Sequence, residues 1–303
     1  VSAEMKQGQA GYPIEEIHCD SLDEFWDVLS PIGSLSRGYI FRGQRNASWS
    51  LLPSALRKDN LERYRGYLAK NSASDSVIAY ELGLLRSFVF ACDVSGLPIS
   101  GDSIAFRKEL DFSVLADRYH LDARAWPDIE FVPLLALAQH HAIPTRLLDW
   151  TYRSYVAAYF AAESALKSNE QGVQRLAVWA LRAEQLYQLP QVEQVRLPGA
   201  VSVNMAAQQG CFVVVRSQYG QGRDTPAPSH DEYSQDSIDS LVVAAGLNEV
   251  LSKVTLPIEL AGELLLRCDR FGVSAATLFP GYDGAARSAL EFRLASISSG
   301  RLI

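Results

Sequence analysis

The stretch FVPLLALAQHHAIPTRLLDW, residues 131–150, decides the fold. As far as Ala138 it is almost wholly apolar, and Pro133 stands where a first helical turn accepts proline, so a buried helix is predicted. Pro144 disfavours helical backbone at Ile143 and ends that helix. A second helix is expected from about Trp150 to Lys167, with Tyr155, Tyr159, Ala162 and Leu166 along one side. The break gathers Gln139, His140, His141, Thr145, Arg146 and Asp149 within eleven residues. An acid–base group, a cation and an anion thus meet where helix-end amides lack partners, a good setting for a ligand. The same residues have structural roles to weigh: Asp149 as the cap of the second helix, Arg146 as its i,i+3 partner, the histidines as packing groups.

Towards the N-terminus, Ser21 followed by Glu24 has the spacing of a capping box before the helix Phe25–Leu29, which Pro31 and Gly33 end. Gly38–Phe41 reads as a strand and runs on into Arg42, Gly43 and Gln44. Arg42 and Gln44, two apart, face the same way. Gly43 leaves room for a ligand or another backbone. The guanidinium fork of Arg42 suits a phosphate or a carboxylate, and an internal ion pair with Glu81 or Asp149 would satisfy it equally. Residues 60–78 are polar, a loop or exposed helix start. Ala79–Phe90 has helical apolar spacing at Leu82, Leu85 and Val89. A loop at Gly96–Gly101 and a short helix at Leu115–Leu121 follow.

Towards the C-terminus, Leu176–Leu181, Cys211–Val215 and, more weakly, Lys253–Ile258 are β-type runs. Gln208 and Gln209 lead into the second of them, where a carboxamide can read a base or ribose or satisfy strand-end backbone. Glu259–Phe271 is an amphipathic helix closed by Gly272, and Tyr282–Ile297 is a last one. Residues 218–237, rich in Gly, Pro and Ser, read as a flexible insertion or lid, and residues 1–13 as a flexible arm. Without repeats or a Gly-rich dinucleotide fingerprint, the chain from 14 to 303 is expected to form a single α+β domain, a mixed, mainly antiparallel sheet packed by several helices.

A formal charge of -7 and a pI near 5.3 argue against general duplex-DNA binding. Cys19, Cys92, Cys211 and Cys268 lack the spacing of a zinc site or a disulfide framework. No apolar run approaches the roughly 20 residues of a membrane span, and the start lacks a signal-peptide pattern, so a cytoplasmic protein without membrane partners is expected.

Phe41-Arg-Gly-Gln44, Trp49–Ser54, Gln139–Thr151 and Ala157–Ala161 together resemble the FRG domain family, with Gln208–Phe212 and Leu278–Gly284 similar to its later landmarks. The likeness runs over roughly residues 20–290; His141-Ala-Ile departs from the His-Tyr-Gly more usual in the family. It implies a bacterial or phage protein associated with defence or toxin-like genes. More distantly, Phe41-Arg42-Gly43 resembles the aromatic-Arg-Gly first strand of a class of ADP-ribosyltransferases. That implies NAD as cofactor with Arg42 on its phosphates, but the class's Ser-Thr-Ser strand is missing and Gln191-Val-Glu193 stands in the wrong chain order. The expected ligand set is Arg42, Gln44, Gln139, His140, Arg146, Asp149 and Gln209, converging on one cavity beside Tyr155 or Tyr159. Catalytic candidates are His140, Glu193 and Glu291, with Glu259 behind them. A non-catalytic module sensing a nucleotide, a nucleic-acid end or a phage or host protein is the alternative reading. Metal-dependent hydrolysis by His140, His141 and Asp149 is the third, disfavoured because adjacent helical histidines point about 100° apart; no metal is expected.

Overall fold

Strand formation is clearest where apolar residues alternate with or flank β-branched and aromatic ones, and such segments, with two polar edge strands, join in one sheet of seven strands. The computed structural model describes residues 14–64, 76–99, 101–111, 115, 118–119, 123–198, 203–216 and 236–300. Its strands are β1 (Glu15–His18), β2 (Tyr39–Gln44), β3 (Leu147–Thr151), β4 (Arg175–Arg182), β5 (Val192–Val195), β6 (Gly210–Val215) and β7 (Leu251–Pro257), in the order β1-β7-β4-β2-β3-β6-β5. Only the β1–β7 pair is parallel. The helices are α1 (Leu22–Val28), α2 (Lys58–Tyr64), α3 (Ser76–Ser95), α4 (Ile104–Glu109), α5 (Val132–His140), α6 (Ser154–Lys167), α7 (Val203–Gln208), α8 (Ile238–Ala244), α9 (Ala261–Arg270), α10 (Ala275–Leu278) and α11 (Tyr282–Ser298). This is a single α+β domain with a mixed, mostly antiparallel sheet.

Side chains alternate across each strand, so the sheet divides its core by face. On one face, Phe41, Val178, Ala180 and Val254 pack under α1, α6 and α9. Further along that face, Leu147, Phe212 and Val214 pack under α3 and α5. The opposite face carries Leu148, Trp150, Trp179 and Val213 against α8. Two helical layers therefore share one side of the sheet, and their seam falls between β2 and β3.

The helix expected from Trp150 starts only at Ser154. Residues 147–151 are instead a strand, each paired with a residue of β6. A short apolar run has no periodicity of its own to separate strand from helix, and here the neighbouring strand decides. Asp149 is consequently an exposed strand residue, not a helix cap. β1 and β5 escaped the reading because edge strands as polar as Glu15-Glu-Ile-His18 and Val192-Glu-Gln-Val195 lack an apolar run.

Other local signals act as their chemistry dictates. The Ser21 side chain caps α1 by accepting from the Glu24 amide, and Gly272 takes φ 74° after α9. Within residues 60–78, α2 ends and α3 begins. The segments 1–13 and 218–235 and most of the helix expected at Leu115–Leu121 lie outside the described residues. Among the described residues no helix is long and apolar enough to cross a membrane.

Candidate ligand-binding site

β2 and β3 pair at one position, Phe41 with Thr151, and then part. Arg42 fills the opening: its Nη1 donates to the Asp149 carbonyl oxygen at 2.7 Å, with the Asp149 carboxylate 3.8 Å away. Its Nε is buried and has no hydrogen-bond partner among the described residues. Burial pushes the guanidinium pKa down, and Asp149 offsets part of that. Asp149 is itself oriented by Gln139, whose Nε2 donates to Oδ1 at 2.8 Å while its Oε1 accepts from Thr145 Oγ1.

Gly43 brings α6 down onto this gap. A Cβ there would lie 2.0 Å from the Ala157 carbonyl oxygen and 2.7 Å from the Ala161 amide nitrogen, so the close backbone is that of the helix. Beside this contact opens a cavity of about 330 Å³, walled by Phe41, Arg42, Asp149, Thr151, Phe160, Glu163, Gln208 and Phe279. The carboxylate of the buried Glu163 holds Lys167 and Arg287 through Oε1; Oε2 makes no hydrogen bond among the described residues. A second cavity of about 430 Å³, under α5 and α7, shares His140, Asp149 and Gln208 with the first and adds Gln139, Asn204, Met205 and Phe212.

Of the residues expected here, Arg42, Gln139, His140 and Asp149 do line the two cavities. The remainder are elsewhere, each for a physical reason. Gln44 is buried in the opposite core, accepting from Trp179 Nε1 at 2.8 Å and donating to the Ser50 carbonyl at 3.2 Å. Arg146 is sealed at 1% exposure in an ion pair with Glu81, to which Trp126 Nε1 also donates. The two candidate pairs are thus Arg42 with Asp149 and Arg146 with Glu81, not Arg146 with Asp149. Gln209 is exposed at φ 47°, and its neighbour Gln208 faces the cavities.

Glu193 lies on the edge strand β5, bound to Arg216 at 2.6 Å. Glu291 is a buried residue of α11, accepting from Tyr159, Lys167 and Arg287. Tyr155 stacks on Trp26, so neither expected tyrosine lines the cleft; Phe160 does. Among the described residues no three His, Cys, Asp or Glu side chains come together as a donor set for a metal.

Residues 99–170 match the model of the FRG domain. The chain carries an FRG domain. No curated protein and no solved structure matches it. The FRG segment runs from α4 through α5, β3 and α6, and so supplies Gln139, His140, Asp149, Phe160 and Glu163. Arg42 and Gly43 lie outside the matched span and meet it from β2. Glu163 was the missed carboxylate; its signal was a lone acid inside the small-residue run Ala161-Ala-Glu-Ser-Ala165.

Cations gather on the β2 side of the cleft. Arg57 is pushed down to about 10, first by lost hydration and then by repulsion from Arg42 and Arg45, with Asp149 opposing. Arg45 sits 4.2 Å over the Trp49 ring and pairs with Glu170 at 3.0 Å.

Proposed function

We propose that the cleft binds a phosphate-bearing, nucleotide-like ligand with Arg42 as its anion anchor, NAD being the favoured candidate and ADP-ribosyl transfer the favoured reaction. The observation that carries this reading is a partly buried guanidinium at a cavity wall, its buried Nε without a partner among the described residues, faced by one exposed carboxylate at 3.8 Å. Buried charges are ordinarily paired, and a planar guanidinium matches a phosphate. The aromatic rings of Phe41, Phe160 and Phe279 supply apolar walls for a planar group.

In the transferase reading, the bond between the ribose C1′ and nicotinamide breaks, nicotinamide leaves with the electron pair, and an acceptor nucleophile bonds to C1′ and loses its proton. Glu163 is the glutamate that lines the cavity, in place of Glu193 and Glu291. A sensing module without turnover is the second reading, favoured by Lys167 and Arg287 already occupying Glu163 Oε1.

Calorimetry with pyrophosphate and with NAD, together with released nicotinamide, tests the proposal. Asp149 competes with phosphate for Arg42, so Asp149→Asn is expected to tighten pyrophosphate binding several-fold, and Arg42→Gln to weaken it tenfold or more. Binding indifferent to both substitutions sinks the anchor. Nicotinamide release dependent on Glu163 separates transfer from sensing.

A further inference from the structure

The two cavities differ in chemistry. The first is lined by three charged side chains, Arg42, Asp149 and Glu163. The second has no lysine or arginine, meets the first at the Asp149 carboxylate, and is walled by Leu137, Met205 and Phe212. Its one carboxamide without a hydrogen bond among the described residues is Asn204; Gln139 is committed to Asp149 and Thr145, and Gln208 Nε2 to the Leu278 carbonyl at 3.3 Å. A carboxamide offers a donor and an acceptor side by side, the complement of a nucleobase edge. Met205 and Phe212 suit the faces of a flat ring.

We infer that the second cavity is a base subsite for a nucleoside diphosphate unit, read by Asn204. The diphosphate then crosses the shared wall of His140, Asp149 and Gln208 beside Arg42, and whatever follows the second phosphate points towards Glu163. This rests on the phosphate reading above and adds to it the part of the ligand that confers selectivity. Volumes of about 330 and 430 Å³ each fall within the range of small-molecule sites.

The test is calorimetry with pyrophosphate, ADP, GDP and UDP on the full chain, wild type and two variants. Asn204→Leu removes the edge contacts, and Leu137→Trp fills the space; melting temperature confirms that each is folded. Wild-type protein is expected to bind at least one nucleoside diphosphate tenfold or more tighter than pyrophosphate. Both variants are expected to lose that margin while keeping pyrophosphate affinity within about twofold. Nucleoside diphosphates that bind no better than pyrophosphate, or a margin that survives both variants, overturn the base subsite and leave the anion anchor standing. Failure of every phosphate compound, pyrophosphate included, overturns both.

Discussion

Gly43 and Gln44 illustrate how adjacent residues of one motif serve different ends. Gly43 is required by the backbone of α6, since any Cβ would meet the Ala157 carbonyl at 2.0 Å. Gly43→Ala is therefore expected to force β2 and α6 apart, at a cost of about 3 kcal/mol or more by the scale of overpacked cores, and to distort the cavity beside it. Urea denaturation measures the loss, and unchanged stability would show that the strand and helix can separate freely. Gln44→Leu should destabilise by about 1–3 kcal/mol, because Trp179 Nε1 and the Ser50 carbonyl lose a buried partner, without altering ligand binding. The identity of two residues on one strand face was readable in the sequence. Which of them meets solvent space was not, because that depends on β3 parting from β2 and on Trp179 arriving from β4.

At the level of elements, the apolar runs of β2, β4, β6 and β7 and the helices α5, α9 and α11 were legible from spacing and punctuation alone. β3 was not, since its five residues acquire their state from the ladder with β6. That single misassignment displaced the site reading: with 147–151 in a strand, Leu147, Asp149 and Thr151 share one face, while Arg146, preceding it, turns into the helical layer towards Glu81. The Glu81–Arg146 pair then joins α3 to the start of β3, at 1% exposure on both residues. Removing one partner strands a buried charge, so Arg146→Met and Glu81→Leu should each cost about 3–5 kcal/mol, and the double variant should recover much of it. Double-mutant-cycle denaturation checks this; additive losses would mean that the two side chains do not act as a pair. The same variants should leave ligand affinity intact wherever they fold, unlike Arg42→Gln.

Across the whole molecule, the buried thiols and phenols respond to alkali with one sign. All four cysteines are free and buried, and burial raises Cys19, from 9.0 to about 11, as well as Cys211 and Cys268. Burial likewise raises Tyr80 and Tyr159. For a thiol whose folded pKa lies above the unfolded one, the unfolded chain gives up its proton first. The native state is then undercut progressively between pH 9 and 11, and for Cys19 a shift of this size corresponds to roughly 3 kcal/mol at most. Arg57 has the opposite sign, burial pushing its pKa down to about 10, so relief from it begins only as pH passes 10. Stability should accordingly be flat up to pH 9 as far as these groups are concerned and then fall. Cys19→Ala should lose about 1 kcal/mol at pH 7 through the vacated volume, yet fall less steeply above pH 9. Urea midpoints at half-unit pH steps from 7 to 10.5 decide the matter: parallel curves for wild type and Cys19→Ala would remove the thiol as a source of alkaline lability, whereas curves converging above pH 9 locate it beneath α1, where Arg175 binds the Cys19 carbonyl and ties that helix's entry to the sheet.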